Sequence, residues 1–454
     1  MSIVLLSPWK QGIIGKRQAL SFVADALVQI HREEINMNKK KLLGASAVVA
    51  SFFMLAACGN DEASDQVTLY VSGDSSEGNA YAQMAEKYEE ETGVYVEVTD
   101  VPYDDLETKV TTAVQADDAP DVVRISGVNP DWADYLMDLS DIAEESKTLE
   151  SMTVKNEDGI VQAVPTDLTA VGMFVNKDLF DEAGVSYPTS EDDIWTWDEF
   201  LSSVEEVKDK TDARFGFVMD SSDHRLRAFV YQHGGKDFFL NDEGTSYETD
   251  EASLEAVELF YELNNNGMLP KSVWTANEDA GAMFKSGQIP AYMSGSWQIK
   301  DFSENLSFGW EAVYMPYEEV RATNLGGNFM VGFENGSNPE GGRDFIEWLY
   351  QPENYEQLAV YAGYMPGLEG IEVEYEGGDD VQKAYDLFNA EIEASDDIAG
   401  KQTAEGLELS LKGISPIGGS TYADLIKQYL NDEMDLDAVT EQQIENLNKE
   451  RLEQ

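Results

Sequence analysis

Between Val67 and Ile125 the spacing of apolar residues switches repeatedly between two periods, and this limits the fold more than any other feature. Val67-Thr68-Leu69-Tyr70-Val71 alternates as a strand does. Asn79 to Glu91 then follows a helical period, with Tyr81, Met84, Ala85 and Tyr88 on one face and Gly93 placed to stop it. Val94 to Val98 reads as a second strand, Leu106, Val110, Ala113 and Val114 line a second helix, and Asp121 to Ile125 forms a third strand after Pro120. Strand–helix–strand–helix–strand predicts a parallel sheet with crossover helices. The pattern restarts at Val171 to Val175, and Thr196-Trp197-Asp198-Glu199 is a capping box flanked by Trp195 and Phe200 at the spacing of a hydrophobic staple. A strand-like run from Arg214 to Met219 precedes a helix ending at Gly234-Gly235. Amphipathic helices follow, among them Ser253 to Asn264, Tyr422 to Leu430 and Ala438 to Glu450. The fold class is α/β.

Charge narrows the partners. The chain holds 30 basic and 88 acidic residues, a net charge of -58. Nucleic acid is excluded, because its phosphates need Lys and Arg, and so is lying flat on anionic lipid. So large a charge keeps a protein soluble. A hydrophobic fraction of 42% with 11% aromatics is enough for packed cores, and 454 residues suggest two lobes.

The lone cysteine, Cys58, says where the chain works. Met37-Asn38-Lys39-Lys40-Lys41 is a positive start, and Leu42 to Ala57 is apolar or small throughout. That order makes an export signal, and the stretch is short for a membrane span of about 20 residues. Leu55-Ala56-Ala57-Cys58 resembles the bacterial lipobox, which implies cleavage before Cys58 and acylation of that cysteine. Two lipid signals on one residue anchor stably. The expected location is the outer face of the cell membrane, lipid-anchored through Cys58, as on a Gram-positive surface. An acylated Cys58 leaves no thiol for a disulfide. Residues 37–57 are thus expected to be a signal peptide and 58–66 a polar tether. Residues 1–36 precede the signal. Arg32-Glu33-Glu34 can be encoded by a purine-rich run that resembles a ribosome-binding site, so translation is expected to start at Met37 and residues 1–36 to be a gene-calling artefact.

Motif order then points to a family. Ala119-Pro120-Asp121-Val122-Val123, Ala163-Val164-Pro165 with Val175-Asn176-Lys177-Asp178-Leu179-Phe180, and Thr196-Trp197-Asp198-Glu199-Phe200 follow one another. Ala282-Met283-Phe284 to Gly295-Ser296-Trp297, Gly326-Gly327 and Tyr364-Met365-Pro366 come next. This series resembles the extracytoplasmic solute-binding proteins of ABC importers, in the maltose-binding-protein-like carbohydrate group. The pattern departs at Val175, where the family commonly has Tyr. The resemblance implies a two-lobed, type II periplasmic-binding-protein-like fold with a ligand cleft between the lobes. It implies lobe I from 67–168 and 325–364, lobe II from 169–324 and 365–454, and crossings near Leu168, Leu325 and Tyr364. Closure of such lobes around a ligand is a hinge motion that needs about 5.5 kcal/mol of differential affinity to turn a 1:99 bias into 99:1. The expected partners are a sugar or oligosaccharide and the permease subunits of an ABC importer. The receptor itself is expected to be a monomer, with no cofactor and no metal.

Trp297 is the leading ligand-binding candidate: a flat aromatic covers the C–H face of a sugar while polar neighbours bond its hydroxyls. The opposing reading, a core tryptophan, sits poorly beside Gly295 and Ser296. Asp74 follows the first strand at the carboxyl end, where open α/β sheets bind ligands, although a solvated loop acid fits equally. Trp132, after the third strand, reads either as a stacking residue or as the apolar face of the helix it begins. Asp167 lies beside the predicted crossover, with Thr169 a weaker neighbour. His224, Arg225 and Arg227 stand where the maltodextrin binders commonly have aromatics. They read as a fork for a ligand carboxylate, sulfate or phosphate or, the favoured reading, as a salt-bridged helix start. Asn328 and Tyr364 complete the set, and Trp195, Trp197 and Trp348 read as structural.

Two rival functions remain at this level. A secreted glycosidase needs two placed acids, and no motif marks a pair. After the signal only His224 and His233 remain, with no HExxH, GxSxG or Walker loop and no EF-hand, so no catalytic residue is assigned. A binder of a non-sugar solute, such as a peptide or polyamine, is the second rival.

Overall fold

In the computed structural model the described residues run from 66 to 452, leaving out 73–74, 242, 319, 396–402 and 404–418. The expected leader, the tether before Gln66, and the Cys58 and Asp74 assignments lie outside them. Among the described residues the strands are β1 (Gln66–Ser72), β2 (Tyr95–Val101), β3 (Val122–Ile125), β4 (Val154–Lys155), β5 (Val161–Asn176), β6 (Phe217–Met219), β7 (Phe238–Leu240), β8 (Tyr247–Thr249), β9 (Ala291–Gly295), β10 (Trp310–Val313) and β11 (Leu325–Gly332). The predicted periodicity corresponds to β1, helix Ser75–Thr92, β2, helix Tyr103–Gln115 and β3. β1 pairs in parallel with β2 on one side and β3 on the other. Gly93, at φ 82°, ends the first helix in a backbone conformation that favours glycine.

β5 and β11 carry the sheet onward. The strand order is β2-β1-β3-β11-β5-β9-β6, with β4 and β10 also on β5 and β7–β8 a separate pair. β11 runs antiparallel to both β3 and β5. The farther part of β5 pairs with β9 and β10. The apolar core divides along the same line. Val67, Leu69, Met84, Phe345 and Leu358 cover one face of the first half, and Leu106, Val123, Phe329 and Phe333 cover the other. A third cluster starts at Ala170 and runs through Phe174, Phe217, Phe284 and Phe388 to the last two helices, Gly419–Leu430 and Leu436–Leu452.

β5 is far longer than the expected Val171–Val175 segment, and a bulge explains why. Asn328 pairs with Asp167 and Phe329 with Pro165, so Thr166 has no partner opposite it. An extra residue of this kind absorbs a proline and re-aims its neighbour. A side chain on Gly327 would come within 2.5 Å of the Asp167 carbonyl, so glycine is required opposite.

Two motifs prove to be architectural. Thr196 and Glu199 form the reciprocal capping box, and the rings of Trp195 and Phe200 lie 5.5 Å apart. Asp121 is fully buried. It accepts from the Thr68 amide and hydroxyl, both at 2.8 Å, and from the Asn338 amide at 2.6 Å. It ties β1 and β3 to the helix start Pro339–Leu349.

Candidate functional site

Along β5 and β11 solvent reaches one stretch. β5 is buried along its length except at Leu168 and Thr169, and β11 is half-buried only over Leu325–Asn328. These stretches pair with each other, Gly327 opposite Leu168 and Gly326 opposite Thr169. A polar cluster flanks this opening on each side.

The first is built on Arg124. Its strand is buried at every position, and a buried guanidinium requires a counter-charge. Asp167 supplies it at 2.8 Å, with the two side chains 1% and 3% exposed. The same carboxylate accepts from the Thr166 hydroxyl at 2.7 Å and from the Asn328 amide at 2.9 Å. The guanidinium lies 4.7 Å over the Tyr364 ring. The Tyr355 hydroxyl donates to the Thr166 carbonyl at 2.6 Å, which holds the bulge in place. Asp167 thus orients Asn328, whose amide retains an oxygen and a second hydrogen for other partners.

The second cluster follows β6. Asp220 accepts from the Arg225 Nε and Nη2 at 3.0 and 2.8 Å, from Ser294 at 2.8 Å, and from the Tyr292 hydroxyl. Burial, then the Asp220 charge, pushes the Tyr292 phenol well above its usual value, so it stays a donor. Arg225 in turn covers the half-buried Trp297 ring at 4.4 Å. On the backbone side the indole lies so close to Gly295 that a Cβ there would fall 2.0 Å from Cζ3. The Gly295-Ser296-Trp297 spacing therefore lays the ring against its own strand.

His224 and Arg227 belong to a neighbouring network at the crossing. Asn324, just before β11, donates to His224 Nδ1 at 2.6 Å and accepts from Arg227 at 3.2 Å. With Nδ1 accepting, the imidazole proton sits on Nε2. His224 is exposed overall, and desolvation of its ring, then the charges of Arg227 and Arg225, holds it below its usual pKa. Arg227 also reaches Asp237 at 3.4 Å. Burial raises Asp237, against the lowering effect of Arg227.

These contacts sort the candidates. Asp167 and Asn328 meet on one flank, and Arg225 and Trp297 on the other, with His224 and Arg227 joined through Asn324. Arg225 and Arg227 each have a carboxylate partner within the chain, Asp220 and Asp237, as a salt-bridged helix start would have. Trp132 is corrected outright. It is fully buried, edge-on to Phe333 at 5.8 Å, with its Nε1 donating to Thr111 at 3.1 Å. It is the apolar face of the short helix it begins and presents no ring to a ligand. Tyr364, 5% exposed, lies beneath Arg124 and acts through that residue. Sequence reasoning missed Arg124, Asp220 and Asn324. A cation amid Val-Val-Arg-Ile was the one available signal for Arg124.

A family model described as bacterial extracellular solute-binding protein matches residues 83–389, more than half of the chain. The chain belongs to that family. This binding protein is 22% identical over 366 residues to the diacetylchitobiose binding protein DasA of Streptomyces coelicolor, covering 75% of this chain and 84% of that one. It is 24% identical over 286 residues to an arabinooligosaccharide-binding protein of Halalkalibacterium halodurans, covering 58% and 62%. Among solved structures it resembles the GacH receptor of Streptomyces glaucescens, with a TM-score of 0.68, 20% identity and coverage of 85% and 98%. It also resembles the cyclic alpha-maltosyl-1,6-maltose binding protein of Arthrobacter globiformis, with a TM-score of 0.62, 22% identity and coverage of 85% and 98%. The fold is therefore the two-lobed type II arrangement, and the family's members are binding proteins that work outside the cytoplasm.

Proposed function

We propose that this binding protein is a monomeric, lipid-tethered receptor that closes on a sugar or oligosaccharide and delivers it to an ABC permease. The lobes are drawn as 67–168 with 325–364 and 169–324 with 365–454, so that the paired, half-exposed stretches Leu168–Thr169 and Leu325–Asn328 form the hinge floor. The observation that carries the reading is that Trp297 and the polar groups of Asn328 and Asp167 flank this one opening. A sugar's apolar face fits the part of the half-buried Trp297 ring that Arg225 and Gly295 leave open, and its hydroxyls fit those polar groups. Asp167 lies on β5, and Trp297 lies just past Gly295, which pairs with Val171 farther along the same strand, so a ligand in reach of both leans on each lobe. Relatives named for diacetylchitobiose and arabinooligosaccharides support a carbohydrate. The order of a charged start, an apolar stretch and Leu55-Ala56-Ala57-Cys58 supports the tether.

Tryptophan fluorescence titrated with a panel of neutral and acidic oligosaccharides tests the reading. Saturable binding with the sugar recovered intact supports a receptor. Released reducing ends would assign a glycosidase instead, and a response to peptides or polyamines alone would move the ligand class.

A further inference from the structure

Among the described residues three large aromatics stand well exposed: Tyr95 at 50%, Tyr103 at 64% and Tyr135 at 39%. Two of them face away from the opening. Tyr95 starts β2 opposite Gln66, at the amino end of the parallel strands. The Tyr135 carbonyl accepts from the Glu334 amide, close to Gly332, which pairs with the first residue of β3 at that same end. Tyr103 alone lies at the carboxyl end, two residues beyond Val101, itself opposite the last residue of β1.

Its ring is not left to swing. The hydroxyl donates to Ser126 Oγ at 2.9 Å, and Ser126 directly follows β3. β2 and β3 flank β1, so the side chain reaches across roughly 10 Å, two strand spacings, over the end of the central strand. One turn along the same helix, Glu107 accepts from Asn129 at 2.8 Å, fastening the helix to the same loop. The result is an apolar face, fixed before any ligand arrives, with a hydroxyl, an amide and a carboxylate around it. Fixing a ring in advance reduces the ordering cost of binding.

Distance decides what such a face could serve. In the order β2-β1-β3-β11-β5, the Tyr103 hydroxyl, at Ser126 just past β3, is two strand spacings from Asp167, and its ring, over β1, about three, roughly 14 Å. Trp297 follows β9, on the far side of β5. One sugar ring resting on Trp297 does not reach Tyr103. We propose that Tyr103 is the stacking face of a second, distal subsite on the first lobe, and that the ligand is an oligosaccharide long enough to lie along the carboxyl edge of the sheet. This rests on the sugar-receptor reading and deepens it.

The test is isothermal titration of the intact protein with maltose to maltohexaose, chitobiose to chitotetraose and arabinobiose to arabinotetraose, in wild type and in Tyr103→Ala, Tyr103→Phe and Trp297→Ala. Wild-type affinity is expected to rise with chain length in the series that binds. Tyr103→Ala should weaken the longest oligomer about tenfold, the scale of one aromatic contact, and leave the shortest within about twofold. Tyr103→Phe, which keeps the ring and loses the Ser126 tether, should fall between. Trp297→Ala should weaken every length. Affinity independent of length, or Tyr103→Ala equal to wild type on all oligomers while Trp297→Ala loses binding, overturns the distal subsite and leaves the receptor reading standing. No binding of any oligomer to wild type overturns both.

Discussion

Asp167→Asn tests whether the carboxylate at the crossing is the keystone its contacts imply. Asp167 and Arg124 are 2% and 1% exposed, and three donors converge on the carboxylate: Arg124 and Thr166 on one oxygen, Asn328 on the other. An amide of the same shape keeps one acceptor and turns the second into a donor, which then faces either the Asn328 amide or the guanidinium, both donors themselves. It also removes the Asp167 charge that faces the buried Arg124 guanidinium. Removing one member of a buried pair costs about 3–5 kcal/mol. At about 2–4 °C per kcal/mol for a folded unit of 150–250 residues, the Tm should fall by about 6–20 °C. Adding Arg124→Met removes the guanidinium that Asp167 faced, and the double variant should recover at least about 2 kcal/mol relative to additivity. Calorimetry at pH 7 on the wild type, both single variants and the double variant gives the full cycle. Sugar affinity, read in parallel, should fall in Asp167→Asn and stay low in the double variant, because neither restores the orientation of Asn328. A single variant melting within about 2 °C of wild type, or strictly additive losses, would refute the argument.

Other expectations follow from the same contacts. Gly295→Ala should weaken sugar binding about as much as Trp297→Ala, since the new Cβ needs the space the indole occupies; unchanged affinity in a folded variant would show that the ring is not a contact. Burial raises Asp223 to about 7, with Arg227 opposing and Asp237 adding. The folded chain therefore holds that proton more tightly than the unfolded chain. The contribution is complete below about pH 4 and is lost as pH rises towards and through 7, by at most a few kcal/mol. Asp223→Asn should flatten the decline of the urea midpoint between pH 4.5 and 7.5, and a slope identical to wild type counts against it. Cys58→Ala in the producing cell should abolish incorporation of an alkyne-labelled fatty acid and move the protein from the membrane fraction to the medium. Label retained by the variant would place the lipid elsewhere.

The first half of the fold is legible in the sequence because each of its strands and helices buries one face against a neighbour, which stamps a clear period on the residues. β5 resists such reading for a local reason: Pro165, Thr166 and Asp167 interrupt its apolar run, and only pairing with β11 reveals that the interruption is a bulge. The site was legible in part. Trp297 stands out because Gly295 precedes it. Arg124 is hidden because the charge that justifies it lies 43 residues away, beyond any local pattern. Trp132 misleads for the opposite reason, since its place after β3 suits a cleft residue while the short helix turns the indole inward. Tyr103 follows Pro102 at the end of β2, where the carboxyl-end rule applies as well as it does to Asp74, but only the Ser126 contact distinguishes it from an ordinary helix start.

The position of β11 bears on the order in which the chain completes its fold. Synthesis presents the amino end first, so β1, β2 and β3 are made long before the strand that must lie against β3. During that interval β3, all of whose residues are buried in the finished protein, has an open edge ready to pair with another chain. Contacts so distant in sequence also form slowly. The first half therefore waits, unfinished, while other copies of the chain are made. A net charge of -58 makes those copies repel one another through the wait, which gives the abundance of acid a role in the birth of the molecule as well as in its working life.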